Sequence, residues 1–244
     1  MAKKIILTLA LFLCVASTAM AQKTIVFAVD ATWPPMEFMD SDKQIVGYSI
    51  DYMTAAAKAA GFTPVFKNVA WDGIFAGLAT GKYDAICSSV SITEKRQETM
   101  DFSTPYFKVR QALIVPVDSS AKSFADLKGQ KVGAQIGTTG YFAIKAADGV
   151  EAKSYDEVGL AMEDLNVGRI SAVVCDDPVA ANYAMDKYKG SLKIASTIET
   201  GEVEFYGIAV KKGNKEVLDL VSKGIEDVAK TPYVQELQQK WIGQ

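Results

Sequence analysis

Asp84-Ala85-Ile86-Cys87-Ser88-Ser89-Val90-Ser91-Ile92-Thr93-Glu94-Lys95-Arg96 is the stretch on which the reading of this chain turns. Residues 84–87 have the short apolar character of a buried strand, and Thr93 can cap a helix whose third position is Arg96. Three serine hydroxyls lie between them. A helix start offers free backbone N–H groups and positive potential, and an arginine fork adds a charge-assisted partner. Strand, serine turn and Arg96 together make a seat for a small carboxylate. An isolated arginine here would read as a solvated side chain paired with Glu94 or Glu98. Ser88, Ser89 and Ser91 shift the reading toward a site.

Working outward, residues 24–29 are a β-branched run broken by the loop 30–35. Ser49 can cap a helix over 50–60 that Gly61 closes. Residues 63–69 read as a second strand, and Asp72 can cap a helix through Ala79 that Gly81 closes. Strand, helix, strand, helix, strand predicts an open parallel-type sheet. The pattern then restarts with a strand at 111–115, a short helix at 124–127 and a strand at 131–135. Gly137-Thr138-Thr139-Gly140 opens a helix over 141–147. A helix over 156–167 sets Val158, Met162 and Leu165 on one face. A strand over 170–175 ends at Asp176-Asp177-Pro178, followed by a helix over 179–188. Residues 203–210 are extended, and helices over 216–229 and 233–242 finish the chain. Thr231 and Pro232 suit the cap and first position of the last helix. The chain thus reads as two α/β units. Crossings near 109–111 and 199–205 would return the C-terminal helices to the first unit. The expected division is 1–21, a leader; 22–109 plus 205–244, a first lobe; and 110–204, a second. A cleft between such lobes favours a small ligand.

The leader follows from Met1-Ala2-Lys3-Lys4, an apolar run over 5–15 and the small-residue end Ala19-Met20-Ala21. This is the pattern of a secretory signal cleaved after Ala21. The run is shorter than the ~20 residues a membrane span needs. Cys14 follows Leu13, where a lipoprotein site carries a small residue, so a soluble exported protein is expected. The full chain carries 26 basic and 29 acidic side chains, a net of −3. Without Lys3 and Lys4 the net is −5, which disfavours nucleic acid as a partner. No histidine is present, which excludes a histidine triad and histidine metal sites. Two separated cysteines, Cys87 and Cys175, make a poor zinc site. Export permits a disulfide between them, but each ends an apolar strand, where a buried free thiol is the plainer reading. No cofactor and no metal are expected.

The turn at Thr138 and Thr139 is a second strand-to-helix corner rich in glycine and hydroxyls, and it lacks the nucleotide-type phosphate-loop pattern. Such turns are also common simple caps. Opposite Arg96 it could approach the same carboxylate. Asp176, at a strand end, either caps the next helix or accepts hydrogen bonds from a ligand ammonium. A carboxylate seat with an ammonium acceptor describes an α-amino acid. Trp33 and Trp71 follow strands; they fill core, or they hold a ligand side chain between flat faces that favour a cation.

Four segments carry a family resemblance: Gly47-Tyr48-Ser49-Ile50-Asp51, the Ser91 to Arg96 run, Asp101-Phe102-Ser103-Thr104-Pro105-Tyr106 and the closing Trp241-Ile242-Gly243. Together they make the mature chain resemble the periplasmic amino-acid-binding proteins of ABC importers, the family-three solute-binding proteins. The resemblance implies a two-lobed type II periplasmic binding protein fold, each lobe an α/β sandwich, joined by two hinge strands and closing on its ligand. It implies that Arg96 with the Ser91 and Thr139 region, beside Thr138, holds the α-carboxylate. Asp176, with Ser89 and Ser91 beyond Ser88, would hold the α-ammonium. Asp30, Trp33 and Trp71 would line the side-chain pocket with Gln135 opposite. Ser49 departs from the aspartate usual in its motif, at a helix start away from the pocket. Cys175 stands where relatives vary with ligand.

Asp30 beside two tryptophans favours a basic side chain, arginine or lysine, while Asp30 with Gln135 would also suit glutamine or another polar amino acid. The expected partners are the amino acid and a membrane ABC permease, the expected state is a monomer, and the expected location is the periplasm. The expected role is binding rather than catalysis. A dehydratase-like enzyme on the same scaffold is the alternative, with Asp30 and Glu37 as its acid–base candidates. A sensory domain would bring membrane segments or fused signalling domains, which the sequence does not show.

Overall fold

The computed structural model describes residues 22–201 and 203–243. The expected leader over 1–21 lies outside the described residues.

The chain opens with β1 (Lys23–Val29), a three-stranded flap of β2 (Thr32–Trp33), β3 (Glu37–Met39) and β4 (Ile45–Val46), then α1 (Tyr48–Ala60). It continues with β5 (Phe62–Asn68), α2 (Ile74–Ala79), β6 (Ala85–Ile86), the single-turn α3 (Glu94–Gln97) and β7 (Met100–Phe102). A short ribbon strand, β8 (Phe107–Val109), leads into β9 (Gln111–Pro116), a 3₁₀ turn at Phe124–Leu127, β10 (Lys131–Gln135) and α4 (Thr139–Ala146). Then come β11 (Glu151–Tyr155), α5 (Val158–Asn166), β12 (Ala172–Asp176), α6 (Asp177–Asn182), a π-helical turn at Tyr183–Lys187 and β13 (Leu192–Ile198). The return is β14 (Glu204–Tyr206), β15 (Ala209–Lys211), α7 (Lys215–Ala229) and α8 (Tyr233–Trp241).

Two five-stranded sheets result, in the orders β5-β1-β6-β15-β7 and β11-β10-β12-β9-β13. In the first, β1 runs parallel to both β5 and β6. In the second, β10 runs parallel to β11 and β12, and β9 is antiparallel to β12 and β13. This is the two-lobed mixed α/β architecture the strand–helix alternation predicts. Between the sheets, β8 and β14 pair antiparallel with Val109 opposite Glu204. Phe27, Tyr52, Met53 and Val221 are among the fully buried side chains on the first sheet's side, and Val132, Ile144 and Val174 fill the second. Val158, Met162 and Leu165 are all buried, as the helical spacing of α5 requires.

Several local expectations are corrected. Ser49 does not cap α1; Gly47 does, and the Ser49 hydroxyl lies inside the helix within 3.0 Å of the Tyr106 hydroxyl. Gly47 has φ +134°, and a Cβ there would meet the Met36 carbonyl oxygen at 2.2 Å, so the close approach to the flap selects glycine over a polar cap. Gly73, not Asp72, precedes α2. Pro232 takes the cap position of α8, while the Thr231 hydroxyl turns back to the Val228 carbonyl oxygen at 2.7 Å and finishes α7. The helix expected over 179–188 starts at Asp177 and gives way to the π turn. Strands β2–β4, β7, β11 and β13 have no counterpart among the expected elements. Cys87 and Cys175 are buried free thiols, without a disulfide between them.

Helix α7 returns to lie against α1, and Gly224 is the point of closest approach: a Cβ there would meet the Ala56 carbonyl oxygen at 2.3 Å. Mid-helix Gly→Ala ordinarily stabilises by ~0.5–1 kcal/mol. Here the clash with backbone reverses the sign, and Gly224→Ala is expected to cost ~1–3 kcal/mol. Urea unfolding of the two proteins measures it; a variant more stable than the parent would show that α1 and α7 are not so tightly packed.

Candidate functional site

The C-terminal ends of parallel strands in the two sheets face one another across the gap between them. Asp30 follows β1, Trp71 lies in the loop beyond β5, and Ser88 and Ser89 follow β6. From the other side, Gln135 ends β10, Thr138 and Thr139 follow it, and Asp176 ends β12. Ligand sites form at such strand ends because loops and helix starts converge there. All eleven side chains expected at the site, Asp30, Trp33, Trp71, Ser88, Ser89, Ser91, Arg96, Gln135, Thr138, Thr139 and Asp176, line a single cavity. The space between its walls amounts to about 320 Å³, part of it open to solvent.

Local sequence places each group. Thr93 caps α3 by accepting from the Arg96 N–H at 3.2 Å. The Arg96 guanidinium donates to the Ser91 carbonyl oxygen at 2.7 Å and, across the gap, to the Gly137 carbonyl oxygen at 3.2 Å. Its Cζ sits 5.7 Å from the Trp71 ring and 5.2 Å from the Phe75 ring, a cation–π stack on two faces. Burial lowers its pKa to about 10, with Asp176 and Glu204 opposing, so it remains charged at neutral pH. The Asp30 N–H donates to the Ser88 hydroxyl at 2.9 Å, tying the ends of β1 and β6 together. Ser89 holds φ +45°, a left-handed backbone uncommon for a side-chain-bearing residue, and its hydroxyl donates to Glu37 at 3.0 Å. On the facing side, Thr138 caps α4 by accepting from the Tyr141 N–H at 3.2 Å, which leaves the Thr139 and Gly140 N–H groups at the head of the helix.

Further contacts span the gap. Gln135 Nε2 donates to Asp30 at 2.8 Å, and the Trp71 indole N–H donates to the Ile136 carbonyl oxygen at 2.8 Å. The Tyr206 hydroxyl donates to Asp176; within the second sheet, Gln111 Nε2 on the neighbouring strand also donates to Asp176, at 2.5 Å. Burial raises the pKa of Asp30 against the lowering effect of its Gln135 and Thr32 hydrogen bonds. Burial likewise pushes Asp176 up to about 7, with the Tyr206 hydrogen bond opposing and the Glu204 charge adding to it.

Sequence reasoning missed Glu204, Gln111 and Tyr206. Glu204 and Tyr206 lie in the return strand β14, read only as extended backbone, and Gln111 begins β9, where a lone amide gives no signal. Glu37 is corrected: it is fully buried behind Ser89, with its pKa raised well above normal by burial, and it does not line the cavity. It is therefore withdrawn as an acid–base candidate. Among the described residues, no group of three or more His, Cys, Asp or Glu is arranged to hold a metal, and no helix is long and apolar enough to cross a membrane.

The raised pKa of Asp176 has a stability consequence. Between its ordinary 3.8 and about 7, the folded protein holds a proton that the unfolded chain releases. Folding stability from this group is therefore full at low pH and falls as pH rises through that window. Asp176→Asn is expected to remove the dependence, so its advantage over the parent grows from pH ~4 to pH ~7 by at most about 4 kcal/mol. Urea unfolding at a series of pH values reads the difference in slope; parallel profiles would place the Asp176 carboxylate in solvent-like surroundings.

The sequence profile of the bacterial extracellular solute-binding proteins, family 3, matches residues 25–244. A probable histidine-binding protein of Neisseria gonorrhoeae is 33% identical over 88% of this chain and 81% of its own length. The ABC transporter arginine-binding protein 1 of Escherichia coli (strain K12) is 33% identical over 93% of each. Among solved structures, an ancestral arginine-binding protein bound to glutamine superposes with a TM-score of 0.84 at 39% identity, covering 91% of this chain and 99% of its own. With the fold, the cavity and the profile match in agreement, this chain belongs to the family 3 bacterial extracellular solute-binding proteins.

Proposed function

We propose that this chain, exported to the periplasm, captures an L-amino acid with a cationic side chain, arginine or lysine, between its two lobes and delivers it to a membrane ABC permease. Arg96 and the N–H groups at the head of α4 take the α-carboxylate. Asp176, with the hydroxyls of Ser89 and Ser91, takes the α-ammonium. Asp30, Trp33, Trp71 and Gln135 surround the side chain.

The observation that carries this reading is charge. Arg96 is the only basic residue among those lining the cavity, against Asp30 and Asp176. A bound zwitterion brings its carboxylate to Arg96 and its ammonium to Asp176, which leaves Asp30 unmatched. Asp30 is 4% exposed and, among the described residues, its carboxylate receives only neutral donors, Gln135 Nε2 at 2.8 Å and the Thr32 hydroxyl at 2.8 Å. A buried carboxylate gains most from a cation, and the indoles of Trp33 and Trp71 favour the same charge. A second reading, glutamine or another polar neutral ligand, draws on the amide already paired with Asp30: a ligand amide could replace that of Gln135. The ancestral relative solved with glutamine is consistent with it.

Closure follows from the two-sided wall. A ligand shifts an open–closed equilibrium only by binding one state better, and Arg96 and Asp176 engage it from opposite lobes. Calorimetric titration with each of the twenty amino acids tests the reading; binding of none would overturn it. Arginine or lysine is expected to bind tightest. Asp30→Asn should weaken the basic ligands by ~1.5–3 kcal/mol and leave glutamine within a few-fold, whereas equal losses would favour the neutral-ligand reading. Arg96→Ala should cost every amino acid ~2–5 kcal/mol, and unchanged affinity would refute the carboxylate assignment.

A further inference from the structure

Glu204 is absent from the lining of this cavity and faces the wider cleft beside it, which Arg96 and Thr139 also border. It is 6% exposed. Three hydroxyls and a shared amide N–H converge on its carboxylate. One oxygen accepts from the Ser91 hydroxyl at 3.0 Å and the Thr139 hydroxyl at 2.7 Å; Gln111 Nε2, 3.2 Å away, has two hydrogens for three acceptors, Asp176, Thr139 and this oxygen, and shares one between them. The other accepts from the Thr200 hydroxyl at 2.9 Å. The backbone holds Ser91 in place for this: Ser91 bridges to Tyr206, and the Ile92 N–H donates to the Phe205 carbonyl oxygen at 2.8 Å, so Ser91 lies against the strand that carries Glu204.

An ionised carboxylate only accepts, and a hydroxyl has one proton and two lone pairs. With their protons committed to Glu204, Ser91 and Thr139 have none left for a ligand. Ser91 keeps both lone pairs. Thr139 also accepts from Gln111 Nε2 at 3.0 Å and keeps one. Both oxygens belong to residues that line the cavity, and Asp176, which shares Gln111 with Glu204, is a further acceptor there. Without Glu204 the same two hydroxyls could rotate and donate, which suits a carboxylate or a neutral carbonyl.

We propose that Glu204 is a positioning residue for the ligand's head group: by taking the hydroxyl protons of Ser91 and Thr139, it presents both oxygens to the cavity as acceptors for a primary ammonium. This rests on the amino-acid reading above and assigns a role to a residue that does not touch the ligand. It makes two demands. The ligand must carry a free ammonium at this end, and the effect of Glu204 must disappear when that ammonium is removed.

The test compares L-arginine with deamino-arginine, which lacks only the α-ammonium, by calorimetry on the intact protein. Glu204→Leu deletes the acceptor at similar length. It is expected to weaken arginine on the order of 10- to 100-fold and to leave deamino-arginine within about threefold. Glu204→Gln keeps an acceptor oxygen for the two hydroxyls and can turn its amide toward Thr200, so it is expected to recover arginine binding to within about threefold of the parent. Equal losses for both ligands would overturn the proposal, since a hinge that is merely loosened weakens both. A Gln variant as weak as the Leu variant would also overturn it, because Glu204 would then act through charge and not as an acceptor. If Glu204→Leu does not fold, Glu204→Met carries the comparison: loss confined to arginine supports the positioning role, and equal loss overturns it. A parent protein that binds neither basic nor neutral amino acids would sink the amino-acid reading itself. A parent that binds arginine alongside an unaffected Glu204→Leu variant would sink only the role of Glu204.

Discussion

Carboxylates removed from water must find hydrogen-bond donors, and this constraint organises the centre of the molecule. Asp30, Glu37, Asp176 and Glu204 are all buried near one another, with Arg96 as the cation on the cavity wall. Each is held mainly by neutral donors: the Gln135 amide, the Ser89 hydroxyl, the Tyr206 phenol, the Gln111 amide and the Ser91 and Thr139 hydroxyls. A neutral hydrogen bond offsets only part of the cost of burying a charge. The remaining cost shows as the raised pKa values of Asp30, Glu37 and Asp176, all pushed up chiefly by burial.

The same donors also join the two lobes. Asp30 lies on one side of the gap and Gln135 on the other; Glu204 receives the Ser91 hydroxyl from one side and the Thr139 hydroxyl from the other. Solvating the charges and separating the lobes are therefore one event, since moving the walls apart admits water to the carboxylates as it breaks their protein contacts. A ligand that supplies better partners than Gln135 and the hydroxyls do can hold the lobes together in their place.

Legibility in the sequence followed how local the cause was. The strand at Lys131–Gln135 and the Thr93 cap on Arg96 were readable because their signals lie within a few neighbouring residues. The wall of the cavity was readable because strand ends, hydroxyl-rich turns and a strand-terminal aspartate mark it in one dimension. Ser49 misled because a good capping residue was overridden by a distant contact, the Met36 carbonyl against Gly47. Strand β11, Glu-Ala-Lys-Ser-Tyr, is a half-exposed sheet edge whose polar composition hides it. Glu204 was invisible for a different reason. Apart from Thr200, four residues away, its partners lie 93 residues away at Gln111, 65 at Thr139 and 113 at Ser91, so no window of sequence contains the cluster.

Strand order also constrains how the molecule can be made. Every strand of the second sheet lies between Gln111 and Ile198, one uninterrupted piece of chain. The first sheet is different: β15 must slot between β6 and β7, and its residues, 209–211, come after the entire second sheet. Helix α7, which covers α1, comes later still. A chain emerging from its N-terminus can therefore complete the second sheet while the first is still open at its middle. Until the last strand arrives, the exposed edges of β6 and β7 are unpaired, and the half of the molecule that is synthesised first is the half that finishes last.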